Sequence, residues 1–124
     1  MSAFDDLHTI VPQRIWTGIV GRSVHGAEAT LSALVLEAGN VVPEHAHANE
    51  QIGMLLGGSV TFSIGDETRE LRPGATWVIP AHVPHSVVVG PDGAAIVEVF
   101  SPPRTDWAGL EELEAGTPPG FGLE

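Results

Sequence analysis

Two histidines one residue apart, His45 and His47, stand in the run Pro43-Glu-His-Ala-His-Ala-Asn-Glu-Gln51. On extended backbone, side chains at i and i+2 leave the same face, so both imidazoles can reach one ion at about 2.0 to 2.1 Å. Gln51 lies four residues beyond His47, on the same parity if the strand continues, and its amide oxygen is a neutral hard donor. A third nitrogen has a source in Pro80-Ala-His82-Val-Pro84-His85, where two prolines stiffen a turn and hold a histidine where a strand begins. Such a set suits a divalent transition metal: Ni, Zn, Mn or Fe. With no cysteine in the chain, thiolate ligands, thiolate nucleophiles and disulfides are excluded, and any metal must rest on nitrogen and oxygen.

A second group closes the apolar part of the chain: Glu98-Val-Phe100-Ser-Pro-Pro-Arg104-Thr-Asp106-Trp107. Glu98 and Phe100 share a strand face. If Ile96 points inward, Glu98 does too, and a buried carboxylate must then be paired, protonated or near a cation. Arg104, after the rigid Pro102-Pro103 pair, can then fold over a cavity mouth and offer its planar fork to a carboxylate. The alternative on the same residues has Glu98 facing solvent, Val97 and Val99 buried, and Arg104 pairing with nearby acids.

The elements that must carry these side chains read as strands. Nearly every apolar segment is short, rich in Val and Ile, and bounded by Gly, Pro, Asn or Asp. The pattern predicts strands over Ile15 to Val24, Ala29 to Glu37, Gln51 to Leu56, Val60 to Ile64, Ala75 to Ile79, Ser86 to Val89 and Ala94 to Phe100. Turns are expected at 37–40, 57–58, 65–67, 72–74 and 90–93, and Gly65-Asp66-Glu67-Thr68 should close a hairpin. No helical crossovers separate the strands, which leaves antiparallel all-β: a sandwich, jelly roll or small barrel. Trp107, Leu110 and Leu113 fall at helical spacing among acids and predict a short C-terminal acidic helix.

The chain has 124 residues, the size of one domain with one core, expected over 1–124 with its centre at about 29–101 and a loose tail over 116–124. Leu123-Glu124 reads as a vector-derived dipeptide. Sixteen acids against five bases give a formal charge of -11, the opposite of a nucleic-acid or anionic-membrane footprint. No stretch of 18 apolar residues occurs, and the first residues lack a basic and apolar leader, so a cytoplasmic protein is expected. Strand edges of a small β-domain suggest a homodimer, with N-terminal residues such as Ile15 to Val20 covering an edge across a two-fold axis.

The spacing of Gly39, His45-x-His47, Gln51 and Gly58 resembles the first motif of the cupin superfamily, where a Glu usually stands at the Gln51 position. Gly74, Pro80-x-His82 and His85 resemble the second, with His82 where a Gly is usual and Val89 where an Asn is common. The resemblance covers about half the chain, 37–100. It implies a double-stranded β-helix, a small jelly roll, with His45, His47, Gln51 and His85 as metal ligands. Gln51 for Glu removes one negative charge, so a divalent ion on four neutral ligands would leave the site at about +2, which suits an anionic ligand.

Within that superfamily, the run from His45 to Gly53 and the run Phe100-Ser-Pro-Pro-Arg-Thr-Asp-Trp107 resemble the pectin-degradation cupins, whose characterised members open the ring of unsaturated uronates. There an Asp, a Phe and an Arg act on the substrate; the matching positions here are Glu98, Phe100 and Arg104. The resemblance therefore implies a metal-dependent enzyme, of isomerase or tautomerase type, acting on a small oxygenated, carboxylated molecule. A cupin dioxygenase and a non-catalytic small-molecule-binding cupin are the alternatives.

Overall fold

The computed structural model describes residues 2–114. The expected tail over 116–124 and the Leu123-Glu124 pair lie outside these described residues. Eight strands follow in order: β1 Gln13–Trp16, β2 Ile19–His25, β3 Thr30–Leu36, β4 Val41–His45, β5 Glu50–Ile64, β6 Glu67–Leu71, β7 Thr76–Ile79 and β8 His85–Ser101. All named pairings are antiparallel. Among the described residues no helix is long and apolar enough to cross a membrane.

The long strands β5 and β8 pair with each other twice. Glu50 to Gly58 of β5 runs beside Ala94 to Ser101 of β8, and Val60 to Ile64 runs beside His85 to Val89. The first half carries β7 on one side and β3, β2 and β1 on the other; the second half carries β4 and β6. Two sheets therefore share two bent strands and face each other, which is a jelly roll. Leu34, Leu36, Leu55 and Ile96 from one sheet meet Val60, Phe62, Val87 and Val89 from the other in one buried cluster.

The expected breaks at 57–58 and 90–93 are bends inside continuous strands. The register slips between Gly58 and Val60, where the facing residues jump from Ala94 to Val89. Gly58 and Gly93 sit at φ 75° and 76°. A Cβ on Gly58 would fall on the carbonyl oxygen of Gly93, so only glycine lets the two bends nest. Elsewhere, a turn at Thr17-Gly18 splits the single strand expected over Ile15 to Val24 into β1 and β2. The residues expected to cover a partner's edge thus pair within their own chain, as a hairpin. The strands β4 and β6 lie outside the predicted set.

The acidic helix expected from Trp107, Leu110 and Leu113 is one 3-10 turn, Thr105–Gly109, with Trp107 buried. Beyond Gly109 the chain straightens, the Leu113 amide donates to the Pro12 carbonyl and Glu112 bridges Gln13. Pairing with the edge of β1 thus replaces further helical turns.

Apolar residues also line the outer face of the larger sheet. Val78, Ile52, Val99, Leu31 and Val24 are successive cross-strand partners on β7, β5, β8, β3 and β2. They are 37% to 56% exposed.

Candidate metal centre

His45 ends β4, His47 lies in the loop before β5, and His85 opens β8. The pair expected from one extended strand therefore comes from a strand end and a loop. Pairing of His45 with His85 brings β4 to β8, and the His82 amide donates to the His47 carbonyl at 2.7 Å, tying the loop to the turn before β8. His82 itself is exposed, at φ 66°, in the left-handed region where the cupin pattern usually has Gly. It is a turn residue whose backbone places His47.

One ring nitrogen from each of His45, His47 and His85 lies within 4.8 Å of the others. Each ring is oriented by a carbonyl two residues away: His45 Nδ1 to Pro43 O at 2.9 Å, His47 Nδ1 to Asn49 O at 3.0 Å, His85 Nδ1 to Val83 O at 2.9 Å. A carbonyl can only accept, so each Nδ1 carries the proton and each Nε2 is left with a bare lone pair. His85 Nε2 is buried without a hydrogen-bond partner.

Gln51, buried on the inner face of β5, adds a fourth lone pair. Its Nε2 donates to Glu98 Oε2, which turns Oε1 toward His47 Nε2 at 3.0 Å. Two acceptors at that separation repel unless a proton or a cation lies between or beside them. Burial, reinforced by the charge of Arg104, holds the His47 pKa below that of a free imidazole, and burial pushes His85 down to about 4. Protons are therefore poor guests at neutral pH. A divalent cation suits three bare imidazole nitrogens and an amide oxygen, so the residues present fit a metal ion.

Glu98 lies inward on β8, as Ile96 does, and is fully buried. Besides Gln51 it accepts the indole N–H of Trp77 at 3.0 Å. Burial raises its pKa; the two hydrogen bonds and the field of Arg104 oppose the rise. Phe100 packs edge-on to His47 and Trp107. Arg104 stacks over both Phe100 and Trp107, at 5.0 and 4.5 Å from the ring centres. Of the two readings of its fork, open to a ligand or paired with nearby acids, the structure has the second: Asp106 holds it, Nε to Oδ1 at 3.1 Å and Nη2 to Oδ2 at 3.0 Å. Glu50, on the opposite parity, is exposed.

All seven expected site residues line one cavity of about 280 Å³, whose other walls include Leu34, Leu36, Phe62 and Ile96. Trp77 escaped the sequence reading, although a lone glycine inside a strand, Gly53, signals close approach by a neighbour.

Residues 33–100, more than half of the chain, match the family model of the cupin domain. The chain belongs to the cupin family. Among solved structures, this cupin is similar to an RmlC-like cupin from Shewanella frigidimarina, with a TM-score of 0.80 and 22% identity, over 87% of this chain and 97% of that one. It is also similar to KdgF from Halomonas sp., with a TM-score of 0.77 and 27% identity, over 86% and 98% of the two chains. A Streptomyces coelicolor protein of undescribed activity is 27% identical over 70 residues, which is 56% of this cupin and 67% of that protein.

Proposed function

We propose that this cupin is a metal-dependent enzyme that opens the ring of a small unsaturated uronate, with His45, His47, Gln51 and His85 as metal ligands. The observation that carries the reading is the meeting of four bare lone pairs with a buried carboxylate, Glu98, in one cavity. The motif resemblance to pectin-degradation cupins and the likeness to KdgF support the substrate class.

A divalent ion bound there would supply Lewis acidity toward a hydroxyl or carbonyl oxygen of the ligand. Glu98 is the proton carrier. Both of its protein donors engage Oε2, which leaves Oε1 to take the anomeric hydroxyl proton. The bond from the anomeric carbon to the ring oxygen then breaks, its electron pair leaving on the ring oxygen as an enolate. Return of the proton to the enolate carbon gives an aldehyde and a 2-keto acid, an isomer of the substrate. Arg104 holds the substrate carboxylate in exchange for Asp106, and Phe100 forms the apolar wall against the ring. At short range the local positive charge must overcome the overall -11.

The test is turnover of unsaturated uronates by protein loaded with Ni, Zn, Mn or Fe, followed by loss of the ultraviolet absorbance of the conjugated enol ether. Glu98→Gln and Arg104→Ala should each lower turnover at least about 100-fold. Unchanged turnover in both would overturn the reading. Consumption of oxygen with Fe(II) would point to dioxygenase chemistry, and tight ligand binding without turnover to a binding module.

The same cupin is proposed to work as a homodimer joined through the outer face of its larger sheet. Five strands at about 4.8 Å spacing make the apolar row about 20 Å wide, the scale of an interaction surface. The outward positions Leu31, Ala33, Val35, Ile52, Met54, Leu56, Ala95, Val97 and Val99 are apolar, and the acid that shares their face on β5, Glu50, stands at the strand's first residue beside Ser101. It is a face whose centre lets two chains of charge -11 meet over apolar side chains, with the Glu50 carboxylate kept to one end of β5. Sedimentation should give a dimer that Ile52→Asp or Leu31→Asp converts to monomer; a monomeric wild type would overturn this.

A further inference from the structure

Gly53 stands between Trp77 on β7 and Glu98 on β8, the direct cross-strand partner of each. Trp77 fills the space that a side chain at Gly53 would need: a Cβ there would fall inside the indole, against Cε2 and Nε1. The indole thereby crosses the middle strand and donates its N–H to Glu98 Oε2. Gln51 Nε2 donates to the same oxygen.

A primary amide has two unlike ends. The oxygen offers lone pairs; the NH₂ offers only hydrogens and cannot ligate a metal. Which end faces the histidines decides whether the cluster has three ligands or four. Anchoring the NH₂ on Glu98 points Oε1 at His47 Nε2. Glu98 can do this only while its carboxylate is held, and the indole N–H, a donor with no acceptor character, is its other anchor in the buried interior.

We propose that Trp77 is a positioning residue: through Glu98 it presents the oxygen of Gln51 to the histidine cluster, and the missing side chain at Gly53 makes room for it. The inference rests on the four-ligand reading above and adds a relay of two residues behind the amide. Acid at position 51 needs no such relay, because both of its terminal atoms are oxygens.

The test measures Ni²⁺ and Zn²⁺ affinity of metal-free protein by calorimetry or chelator competition, in the wild type, Trp77→Phe, Gln51→Glu and the double variant. Loss of the indole donor should weaken binding about 10- to 100-fold in the Gln51 protein, the range for groups that orient a ligand. With Glu at position 51, the same loss should change affinity less than about 3-fold. Equal weakening in both backgrounds would mean a merely structural role and would overturn the relay, as would wild-type affinity in Trp77→Phe. Failure of the four-ligand reading looks different: Gln51→Ala and His85→Ala would then bind metal like the wild type. Should Trp77→Phe not fold, the wild type carries the test. On the wild type itself, NMR should show the Gln51 NH₂ protons near the Trp77 indole N–H; contacts to the His47 ring instead would overturn the proposal.

Discussion

His47 Nε2 and Gln51 Oε1 lie 3.0 Å apart, and each turns a lone pair toward the other. That arrangement is unfavourable alone and favourable around a cation, so metal should stabilise the fold as well as bind to it. At a free metal concentration 100 times Kd, the gain is about 2.7 kcal/mol. Thermal unfolding should rise by several degrees on adding Ni²⁺ or Zn²⁺ and return with a chelator. His85→Ala should abolish the shift. An unchanged Tm in the wild type would rule out a site at these residues.

Acid should weaken the metal-free protein through His85. Its folded pKa is about 4 against an ordinary 6.5, so between those values the unfolded chain binds more protons. Stability present above about pH 6.5 is lost as pH falls toward about 4, on the order of 3 kcal/mol for this one group. Denaturant midpoints across that range should fall with pH in the wild type and fall less steeply in His85→Phe. Parallel slopes would remove His85 as the cause.

Asp106 competes with any carboxylated ligand for Arg104. Its hydrogen bonds with Arg104 hold its own pKa below the usual carboxylate range, so it stays charged and engaged at neutral pH. Asp106→Asn should therefore tighten binding of a uronate about 3- to 10-fold, and the gain should vanish in an Arg104→Leu background. Calorimetry with a non-reactive saturated uronate reads this directly; unchanged affinity would show that Arg104 does not take the ligand.

Gly58→Ala should be among the most damaging small substitutions. It puts a Cβ onto the Gly93 carbonyl oxygen and forces a left-handed residue to carry a side chain. A loss of about 3 kcal/mol or more is expected in chemical denaturation. Gly39→Ala, also at positive φ but with open space around the position, should cost about 1 kcal/mol. Equal costs would mean that the nesting of the two bends is not what constrains Gly58.

The antiparallel all-β class was legible in alternation such as Val60-Thr-Phe-Ser-Ile64, the jelly roll in the spacing of the two cupin motifs, and the inward Glu98 as one of two faces, tied to that of Ile96. Period-2 patterning does not report where a strand stops. Gly57-Gly58 and Gly90-Pro-Asp-Gly93 look like hairpin turns, yet the pairing of β5 with β8 carries on beyond them, so four expected strands are two. The convergence of three histidines followed from motif spacing. Their tautomers did not, since each depends on a carbonyl brought into reach by local backbone at Pro43, Asn49 and Val83. The seizure of Arg104 by Asp106 is a choice among many acids that only the fold around Trp107 makes.

The alternation along β3 and β8 also says how two copies joined on that outer face would behave. Inward residues line the cavity and outward ones meet the neighbour, so a full thickness of sheet separates each reaction chamber from the join. Neither subunit would lend a side chain to the other's chemistry. Saturation curves should be hyperbolic, with a Hill coefficient of about 1, and one inactive subunit in a mixed pair should leave its companion at full speed.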